Sequence, residues 1–378
     1  MNNNTDTIAG NRSDTKTASS SKKTPKVLFV ASGNKKVGEV SSFVQSQYDS
    51  LVAEGLDMVL FPIKGKGWKG YLKAVFELRK VVKREKPDII HAHYSTCGFV
   101  ASLACLGMRK RPKIMVSILG SFPTKGAKWY LVRFAIKCLW HKTIVKSNRT
   151  AHQLGLNLPV IPNGVNLERF RLMDQAECRR QLGWNIDARR LDSSKSDAAN
   201  MVKKKYIIWC SNPERKEKNW PLAEASVRQL ESPISDASRK EPDGYSVELV
   251  AVYNKTPDEV CTYMNAADCL LLTSDSEGSP NVIKEAMACI CPIVTTDVGD
   301  VRERLANLEG CYVVEEPRAI DAEHTDATRS EKEKSVAEAI MKALEFGKRT
   351  EGRKRLIEDR LEISQIAKRI IEVYTSLN

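Results

Sequence analysis

Short runs of β-branched and other apolar residues alternate along the chain with longer stretches of helical periodicity. In residues 68–86, for example, Trp68, Leu72 and Phe76 keep a helical spacing while Lys69 and Lys73 beside them are polar. The runs predict strands at residues 26–31, 57–61, 88–91, 113–118 and 143–146, with helices at 40–54 and 68–86 between them. Strands and helices that alternate at this pitch are typical of a parallel sheet wrapped by helices.

The pattern stops at a turn-rich connector, residues 159–164, and then begins again. After a polar insertion at 187–205, strands are predicted at 206–210, 247–252, 269–273, 292–296 and 311–314, and a loop at 318–334. We therefore predict an α/β protein with two doubly wound Rossmann-like domains that face each other across a cleft. The predicted organisation is a disordered leader at 1–24, an N-terminal domain at 25–162, a C-terminal domain at 163–360, and a last helix at 361–378 that packs back on the N-terminal domain.

The composition fits two globular domains and argues against several classes of protein. The 378 residues are 42% hydrophobic and 28% charged, and no stretch approaches the ~20 consecutive apolar residues of a membrane span. The first residues contain no apolar segment like that of a signal peptide. Ten cysteines are scattered without the spacing of a disulfide framework or a zinc site. We therefore expect a cytoplasmic protein with reduced thiols.

The formal charge of +13 is distributed unevenly. Residues 22–158 contain 25 lysine and arginine residues against 7 aspartate and glutamate residues, whereas residues 159–378 contain 33 against 38. This asymmetry indicates an anionic partner for the first half, which by charge alone is nucleic acid, a lipid headgroup surface or a phosphorylated substrate. The aromatic and basic segment 127–140 is compatible with an amphipathic helix on an anionic membrane, or with a basic helix that covers the core.

A turn and helix start follow the predicted strand 269–273. Ser279 and Pro280 are typical of an N-cap and a first helical position, so free backbone N–H groups are expected from Gly278 to Asn281. These donors and the positive end of the helix dipole favour a phosphate group. Gly278 would let the backbone approach a ligand closely.

Charged residues surround this predicted phosphate site. Glu277 and Glu285 would repel a phosphate, so hydrogen bonds with sugar hydroxyls are the more plausible role for these carboxylates. Arg215 and Lys218 follow the predicted strand 206–210 and can neutralise a diphosphate. The chain contains no Asp-x-Asp sequence, which is the usual carboxylate pair for a divalent metal on a diphosphate. Protein cations are the natural replacement for such a metal.

Three segments together resemble glycosyltransferase family four, whose members are retaining enzymes of the GT-B fold. They are SNPERKEKN at 211–219, EGSPNVIKEAMAC at 277–289 and IPNGVNLERF at 161–170. Two N-terminal segments, 65–72 and 88–94, resemble members used in bacterial surface-polysaccharide assembly. The resemblance extends from about residue 26 to the last helix.

The resemblance implies a role for each matching residue. Arg215 and Lys218 would hold the diphosphate of a nucleotide sugar and stabilise the leaving group, and Glu277 would contact the donor sugar; we take these three as catalytic. Glu285 would bind the ribose hydroxyls. The remaining predicted donor contacts are Gly278, Ser279, Pro280 and Asn281, together with Gly38 in the first loop of the N-terminal domain. No metal and no cofactor are expected.

The chain departs from the family pattern after its fourth strand. Leu119 and Phe122 stand where many relatives have the histidine and the aspartate of His-Gly-Ser-Asp. This replacement leaves open which residues of this chain contact the sugar or the acceptor there. His93, at the end of the neighbouring strand, is a possible compensating contact with the acceptor or sugar, although a histidine in that position is more often structural.

The sequence thus favours a retaining, metal-independent glycosyltransferase that transfers a sugar from a nucleotide-diphosphate sugar to an acceptor hydroxyl in polysaccharide or glycolipid assembly. The expected partners are a nucleotide-sugar donor and a saccharide or lipid-linked acceptor, and the anionic inner face of the plasma membrane is a further candidate partner. Two alternatives remain open: a nucleotide-sugar epimerase of the same fold and a basic nucleic-acid-binding module. The second lacks the aromatic stacking motifs of RNA-binding domains, so nucleic acid is not expected as a partner.

Overall fold

The computed structural model describes residues 24–33, 38–65, 67–120, 122–184, 203–231, 245–315 and 326–377. The predicted leader, except residue 24, and most of the polar insertion lie outside the described residues. The predicted loop at 318–334 is described only from residue 326 onward. That part of the prediction is wrong, because Asp326 begins a helix of 21 residues. Its alanines and paired charges are good helix formers, and their polar character had suggested a loop.

The first domain contains a parallel five-stranded sheet covered by helices on both faces. Its strands are β1 (Val27–Ser32), β2 (Met58–Ile63), β3 (Ile89–His93), β4 (Lys113–Ile118) and β5 (Lys142–Val145). They lie in the order β2-β1-β3-β4-β5. The helices are α1 (Ser42–Ala53), α2 (Gly67–Glu85), α3 (Ser95–Ala104), α4 (Ala127–Cys138) and α5 (Asn148–Leu154). The strands are almost continuously apolar, as expected where both faces of a parallel sheet are buried.

The second domain repeats this topology. Its strands are β6 (Lys203–Trp209), β7 (Tyr245–Ala251), β8 (Cys269–Leu272), β9 (Ile293–Thr296) and β10 (Cys311–Val314), in the order β10-β9-β8-β6-β7. Its helices are α6 (Gln175–Gln181), α7 (Trp220–Glu231), α8 (Pro257–Ala266), α9 (Asn281–Ala288), α10 (Val301–Arg304), α11 (Asp326–Phe346) and α12 (Gly352–Glu358), and a last helix, α13 (Ile363–Leu377), follows. Two Rossmann-like parallel sheets confirm the predicted fold class.

The strand order places one switch point in each domain. The chain moves from β1 outward to β2 and then returns to β3 on the other side of β1, and β6, β7 and β8 repeat this path. Loops that follow β1 and β3, or β6 and β8, therefore diverge and leave a crevice at the carboxyl ends of the strands. The loops at 210–219 and 273–281 both lie at this crevice in the second domain.

Helix α13 packs on the first domain although it follows the second in sequence. Ile366, Ile370 and Tyr374 recur every four residues, so they form one buried stripe on the helix, and this stripe joins the core that contains Val44 of α1. The Tyr374 hydroxyl lies 2.6 Å from Nδ1 of the buried His91, whose Nε2 lies 2.7 Å from the Ser117 hydroxyl. A hydrogen-bonded chain thus connects α13 to β3 and β4.

We predict that Tyr374→Phe lowers the free energy of unfolding by about 1–3 kcal/mol, because a buried ring nitrogen of His91 loses its partner while the apolar packing is kept. Urea denaturation measures the change. Tyr253→Phe is the matched control, since Tyr253 is 46% exposed, and it should have no comparable effect. Equal stability of Tyr374→Phe and the wild type would show that the hydrogen-bonded chain contributes nothing.

Candidate functional site

An ion pair joins the two crevice loops of the second domain. Lys218 Nζ donates a hydrogen bond to Glu277 Oε1, which also accepts one from the Ser274 hydroxyl at 3.0 Å. The side chains of Lys218 and Glu277 are 16% and 17% exposed. The pair is therefore largely shielded from water but retains access to a ligand in the crevice.

Hydrogen bonds from the strand ends hold the Lys218 loop against the Glu277 loop. The Thr273 hydroxyl donates to the carbonyl oxygens of Lys218 at 3.1 Å and Asn219 at 2.9 Å, and accepts from Trp209 Nε1 at 3.0 Å. Asn219 has a left-handed backbone, with φ of 54°, and its side-chain amide donates to Asp275 at 2.8 Å. Lys218 and Glu277 are thus presented on one rigid unit rather than on two independent loops.

Arg215 does not touch this ion pair. Its guanidinium donates to Glu217 Oε1 at 2.6 and 2.8 Å, and its side chain is 55% exposed. Burial raises the pKa of the Tyr94 phenol in the first domain, and the positive charge of Arg215 partly offsets this effect. Arg215 therefore lies at the mouth of the crevice, on the side that faces Tyr94, which has a left-handed φ of 74°. Such a backbone is rare for a bulky residue and is typical of functional sites.

The loop at 278–281 packs closely against the first domain. A Cβ atom at Gly278 would lie 2.7 Å from the Gly120 Cα of the first domain, so only glycine fits. The N–H groups of Gly278 and Ser279 donate no hydrogen bond within the described part of the chain. Pro280 has no N–H to donate. The possible backbone donors are therefore Gly278, Ser279 and Asn281.

The predicted helix start is shifted by one residue. Pro280 occupies the N-cap position with an extended ψ of 123°, and the helix begins at Asn281, so Ser279 is not the N-cap. The Ser279 hydroxyl instead donates to Asp300 at 2.9 Å and accepts from the buried Lys284 ammonium at 2.8 Å. The buried ammonium needs oxygen partners, and Ser279 supplies two of them.

Glu285 lies one turn after the start of α9 at Asn281 and lines a cavity of about 40 Å³ at the domain boundary. Asn281, Gly164 and Ser42 of α1 also line this cavity. Burial raises the pKa of the Glu285 carboxyl to about 7, although the charge of Lys284 lowers it. Among the described residues, no hydrogen-bond partner of this carboxyl is found. The half-buried carboxyl is therefore an acceptor that is available to a ligand hydroxyl in this cavity.

The first-domain residues proposed from the sequence differ in their access to the cleft. Gly38, with a left-handed φ of 92°, closes the loop after β1 and donates its N–H to Gly33 at 2.8 Å. His93 is fully buried, and its ring centroid lies 4.2 Å from that of Phe29. Burial lowers the pKa of His93 well below its ordinary value, so the ring is neutral. Phe122 is 5% exposed and belongs to the apolar core, unlike the polar residue that the family pattern has there.

Comparison with known proteins matches both halves of the chain to glycosyltransferases. Residues 26–148 match the family model described as glycosyl transferase 4-like, and residues 230–329 match glycosyl transferases group 1. A putative teichuronic acid biosynthesis glycosyltransferase, TuaC of Bacillus subtilis, is 25% identical over 264 residues, which are 65% of this chain and 62% of the relative. The match thus spans less than two thirds of that relative.

Solved structures share the fold over almost the whole chain. Sucrose-phosphate synthase from Thermosynechococcus elongatus has a TM-score of 0.67 at 16% identity, covering 93% of this chain and 99% of its own. Anabaena Alr3699/HepE, solved with UDP-glucose, has a TM-score of 0.63 at 13% identity, covering 93% and 100%. The chain belongs to the family-four-like glycosyltransferases of the GT-B fold. The resemblance predicted from the motifs is confirmed.

The sequence did not predict a role for three residues of this glycosyltransferase, Lys284, Asp300 and Lys146. Lys284 lies within the quoted motif, yet its role depends on Asp300, 16 positions away, which also binds Arg304. Lys146 stands at the end of a predicted strand, and only the fold shows that it is buried. Its one sequence signal is a lysine directly after an apolar strand.

The described part of the glycosyltransferase lacks both a metal-binding cluster and a membrane-spanning helix. Across the described ranges, no group of three or more His, Cys, Asp and Glu side chains is arranged to hold a metal ion. In the same ranges, no helix combines the length and apolar character needed to cross a membrane.

We predict that Glu285→Gln stabilises the glycosyltransferase at pH 8 by about 2 kcal/mol and much less at pH 5. The folded carboxyl has a pKa of about 7, against 4.5 for an unperturbed glutamate, so the folded state retains a proton that the unfolded state releases between these values. Stability therefore falls as pH rises through this window, and the full cost is present above pH 7. Glutamine carries no such charge.

Urea denaturation of Glu285→Gln at both pH values measures this difference. Glu309→Gln changes an exposed carboxyl of the same domain and should show no pH-dependent gain. An equal gain at pH 5 and pH 8 for Glu285→Gln would contradict the assignment of the effect to the buried charge.

Proposed function

We propose that the chain transfers a sugar from a nucleotide-diphosphate sugar to an acceptor hydroxyl, with retention of configuration and without a metal ion. The observation that carries this proposal is the Lys218–Glu277 ion pair, held beside the backbone donors of residues 278–281 at the domain boundary. A cation, a carboxylate and N–H groups directed to one crevice suit a diphosphate linked to a polyhydroxyl group.

Lys218 and Glu277 would exchange partners when the donor binds. The ammonium of Lys218 would turn toward the diphosphate, and Glu277 would then accept hydrogen bonds from hydroxyls of the donor sugar. Arg215 would exchange Glu217 for a phosphate oxygen. As the bond to the leaving nucleotide breaks, negative charge grows on the diphosphate, and the two cations stabilise it more strongly than in the ground state.

The remaining donor contacts would come from α9 and the first loop of the N-terminal domain. Gly278, Ser279 and Asn281 would offer N–H groups, and Pro280 would fix the direction of the backbone. Glu285 would accept hydrogen bonds from the ribose hydroxyls, which would favour its ionised form. Gly38 would approach the diphosphate from the opposite side.

The donor and acceptor classes are inferred from relatives. Alr3699/HepE was solved with UDP-glucose, which supports a nucleotide sugar as the donor. TuaC is named for teichuronic acid biosynthesis, which supports a saccharide acceptor in polysaccharide assembly. Retention follows from the family resemblance, with same-face attack assisted by the leaving phosphate, so we assign no protein nucleophile. His93 stays a possible sugar contact once the domains separate.

We predict that Lys218→Ala lowers the rate of transfer about 100- to 1,000-fold, as removal of a donor to transition-state charge does elsewhere. The measurement is release of nucleoside diphosphate from a panel of nucleotide sugars that includes UDP-glucose, in buffer with EDTA. Lys216→Ala is the matched control, because Lys216 is exposed in the same turn, and should keep activity.

Product analysis separates transfer from the alternatives. An anomeric proton spectrum of the product should show the configuration of the donor. Equal rates for Lys218→Ala and Lys216→Ala would contradict the site. A requirement for a divalent metal, or an epimer formed from the donor alone, would contradict the reaction.

We further propose that the first domain rests on an anionic membrane through the outer surface of α2 and α4. Both helices bury residues in the same core, Leu78 of α2 and Ala135 of α4, so they cover one face of the sheet. Large apolar residues on their outer surface are between 49% and 72% exposed: Trp68, Leu72, Phe76, Tyr130, Leu131 and Phe134. Lysines flank them on both helices, and each can contribute about 1 kcal/mol near anionic lipid.

We predict that the double variant Trp68→Ser and Phe76→Ser binds vesicles of phosphatidylglycerol and phosphatidylcholine about tenfold more weakly than the wild type. Co-sedimentation at low and high salt measures the binding, which should weaken as salt screens the lysines. Tyr253→Ser removes an exposed aromatic residue from the second domain and serves as the control. Equal binding by all three proteins would contradict this orientation on the membrane.

A further inference from the structure

Several buried polar atoms without partners lie where the two domains meet. The ammonium of Lys146 and both ring nitrogens of His93 have no hydrogen-bond partner, and the residues are 1% and 0% exposed. The side-chain oxygen of Asn163 is also buried and unpaired. Buried polar groups in folded proteins are normally satisfied, so such a concentration indicates a missing partner.

The sheet brings Lys146 and His93 to the same face. His93 pairs across the ladder with Ser117 of β4, and Ser117 pairs with Ile144 of β5. Since side chains alternate along a strand, Lys146 lies on the same face as Ile144 and therefore as His93. The charge of Lys146 contributes, after burial, to lowering the pKa of His93, which agrees with their closeness.

Asn163 extends the cluster toward the second domain. Ile161 donates its N–H to the Val145 carbonyl at 2.9 Å, so the connector runs beside the end of β5. Two residues later, the Asn163 amide donates to the Asn281 side chain at 3.2 Å, at the start of α9. The unpaired Asn163 oxygen is an acceptor suited to a hydroxyl.

The neighbouring charges of Lys146 are positive. Lys284 of α9 and Arg369 of α13 both disfavour its charged form, and burial is the largest cause of the lowered pKa, about 7. Lys284 has oxygen partners in Ser279 and Pro280, and Arg369 donates to the Val160 carbonyl at 2.8 Å. Of these three cations, Lys146 is thus the one without an oxygen partner among the described residues. A buried ammonium without a counter-charge is strongly unfavourable.

We propose that Lys146, His93 and Asn163 form a binding site for an anionic group of a saccharide substrate, a phosphoryl or carboxylate oxyanion with a hydroxyl nearby. Lys146 supplies the charge, the neutral His93 donates one N–H, and Asn163 accepts from the hydroxyl. The site shares no residue with the Lys218–Glu277 ion pair. Because α9 and α13 cover it, the ligand enters while the domains are apart. That the ligand is a saccharide rests on the proposed function, whereas oxyanion binding does not.

The test compares Lys146→Met with Lys113→Met, which changes an exposed lysine at the other end of the same sheet. Both are made in the Lys218→Ala background, so that binding at the ion-pair loop is weakened, and thermal unfolding is followed with increasing inorganic phosphate at pH 7. Phosphate should raise the unfolding temperature of the background protein and of Lys113→Met. In Lys146→Met the apparent affinity for phosphate should fall at least about tenfold, which corresponds to the loss of one hydrogen bond to a charged group.

Without phosphate, Lys146→Met should unfold at the same temperature as its background or higher, because an unpaired ammonium has been replaced by an apolar chain of similar length. A lower unfolding temperature in that buffer, or equal phosphate affinity with and without Lys146, would overturn the proposal. Absence of sugar transfer by the wild-type protein, with phosphate binding intact, would instead contradict only the proposed function.

Addition of UDP at saturation identifies the source of the oxyanion. If the site receives the donor's diphosphate, UDP abolishes the Lys146-dependent phosphate effect. If the site receives an anionic group of the acceptor, the stabilisation by UDP and by phosphate adds.

Discussion

Charge buried between the two domains is the constraint on which the site depends. Removing an ion from water costs several kcal/mol unless oppositely charged or polar groups replace the water. At this boundary most ions have such partners: Lys218 binds Glu277, and Lys284 and Arg304 share the Ser279–Asp300 pair. These contacts fix the loop at 278–281 so tightly that Gly278 can lie against Gly120.

The same reasoning divides structural from ligand-binding charges. Lys284 is saturated with internal oxygens, so its role is to position the loop before α9. Lys146 is buried and Glu285 is half-buried at the same boundary, and neither finds a hydrogen-bond partner among the described residues. Burial shifts the pKa of both toward 7, from opposite directions, which is the expected response of unpaired groups. A ligand that provides hydroxyls to Glu285 and an oxyanion to Lys146 would remove the cost of leaving these two charged groups unpaired.

The sequence predicts the sheets well because their signal is local. The predicted strand at 113–118 coincides with β4, and that at 311–314 with β10, since apolar runs are required wherever both faces of a strand are buried. The start of α9 was predicted one residue early because the Ser279 hydroxyl is occupied by Asp300 and Lys284. Long-range partners of this kind leave no mark on the local pattern. For the same reason, Lys146 could not be distinguished from an ordinary strand-end lysine.

Leu119 and Phe122 depart from the family pattern, and the departure at residue 119 lies beside Lys146. Ile118 pairs with Val145 across the ladder, so Leu119 and Lys146 are the next residues at two adjacent strand ends. The family pattern has a polar histidine at the first of these positions, whereas this chain has an apolar residue there and a buried cation at the second. Phe122 is 5% exposed and fills the core, and the Lys128 ammonium lies 5.0 Å from the centroid of its ring. In the proposed site, the Lys146 ammonium lies at the strand end beside the position where the family pattern has an imidazole, and a charged ammonium is the stronger counter-charge for an anionic substrate.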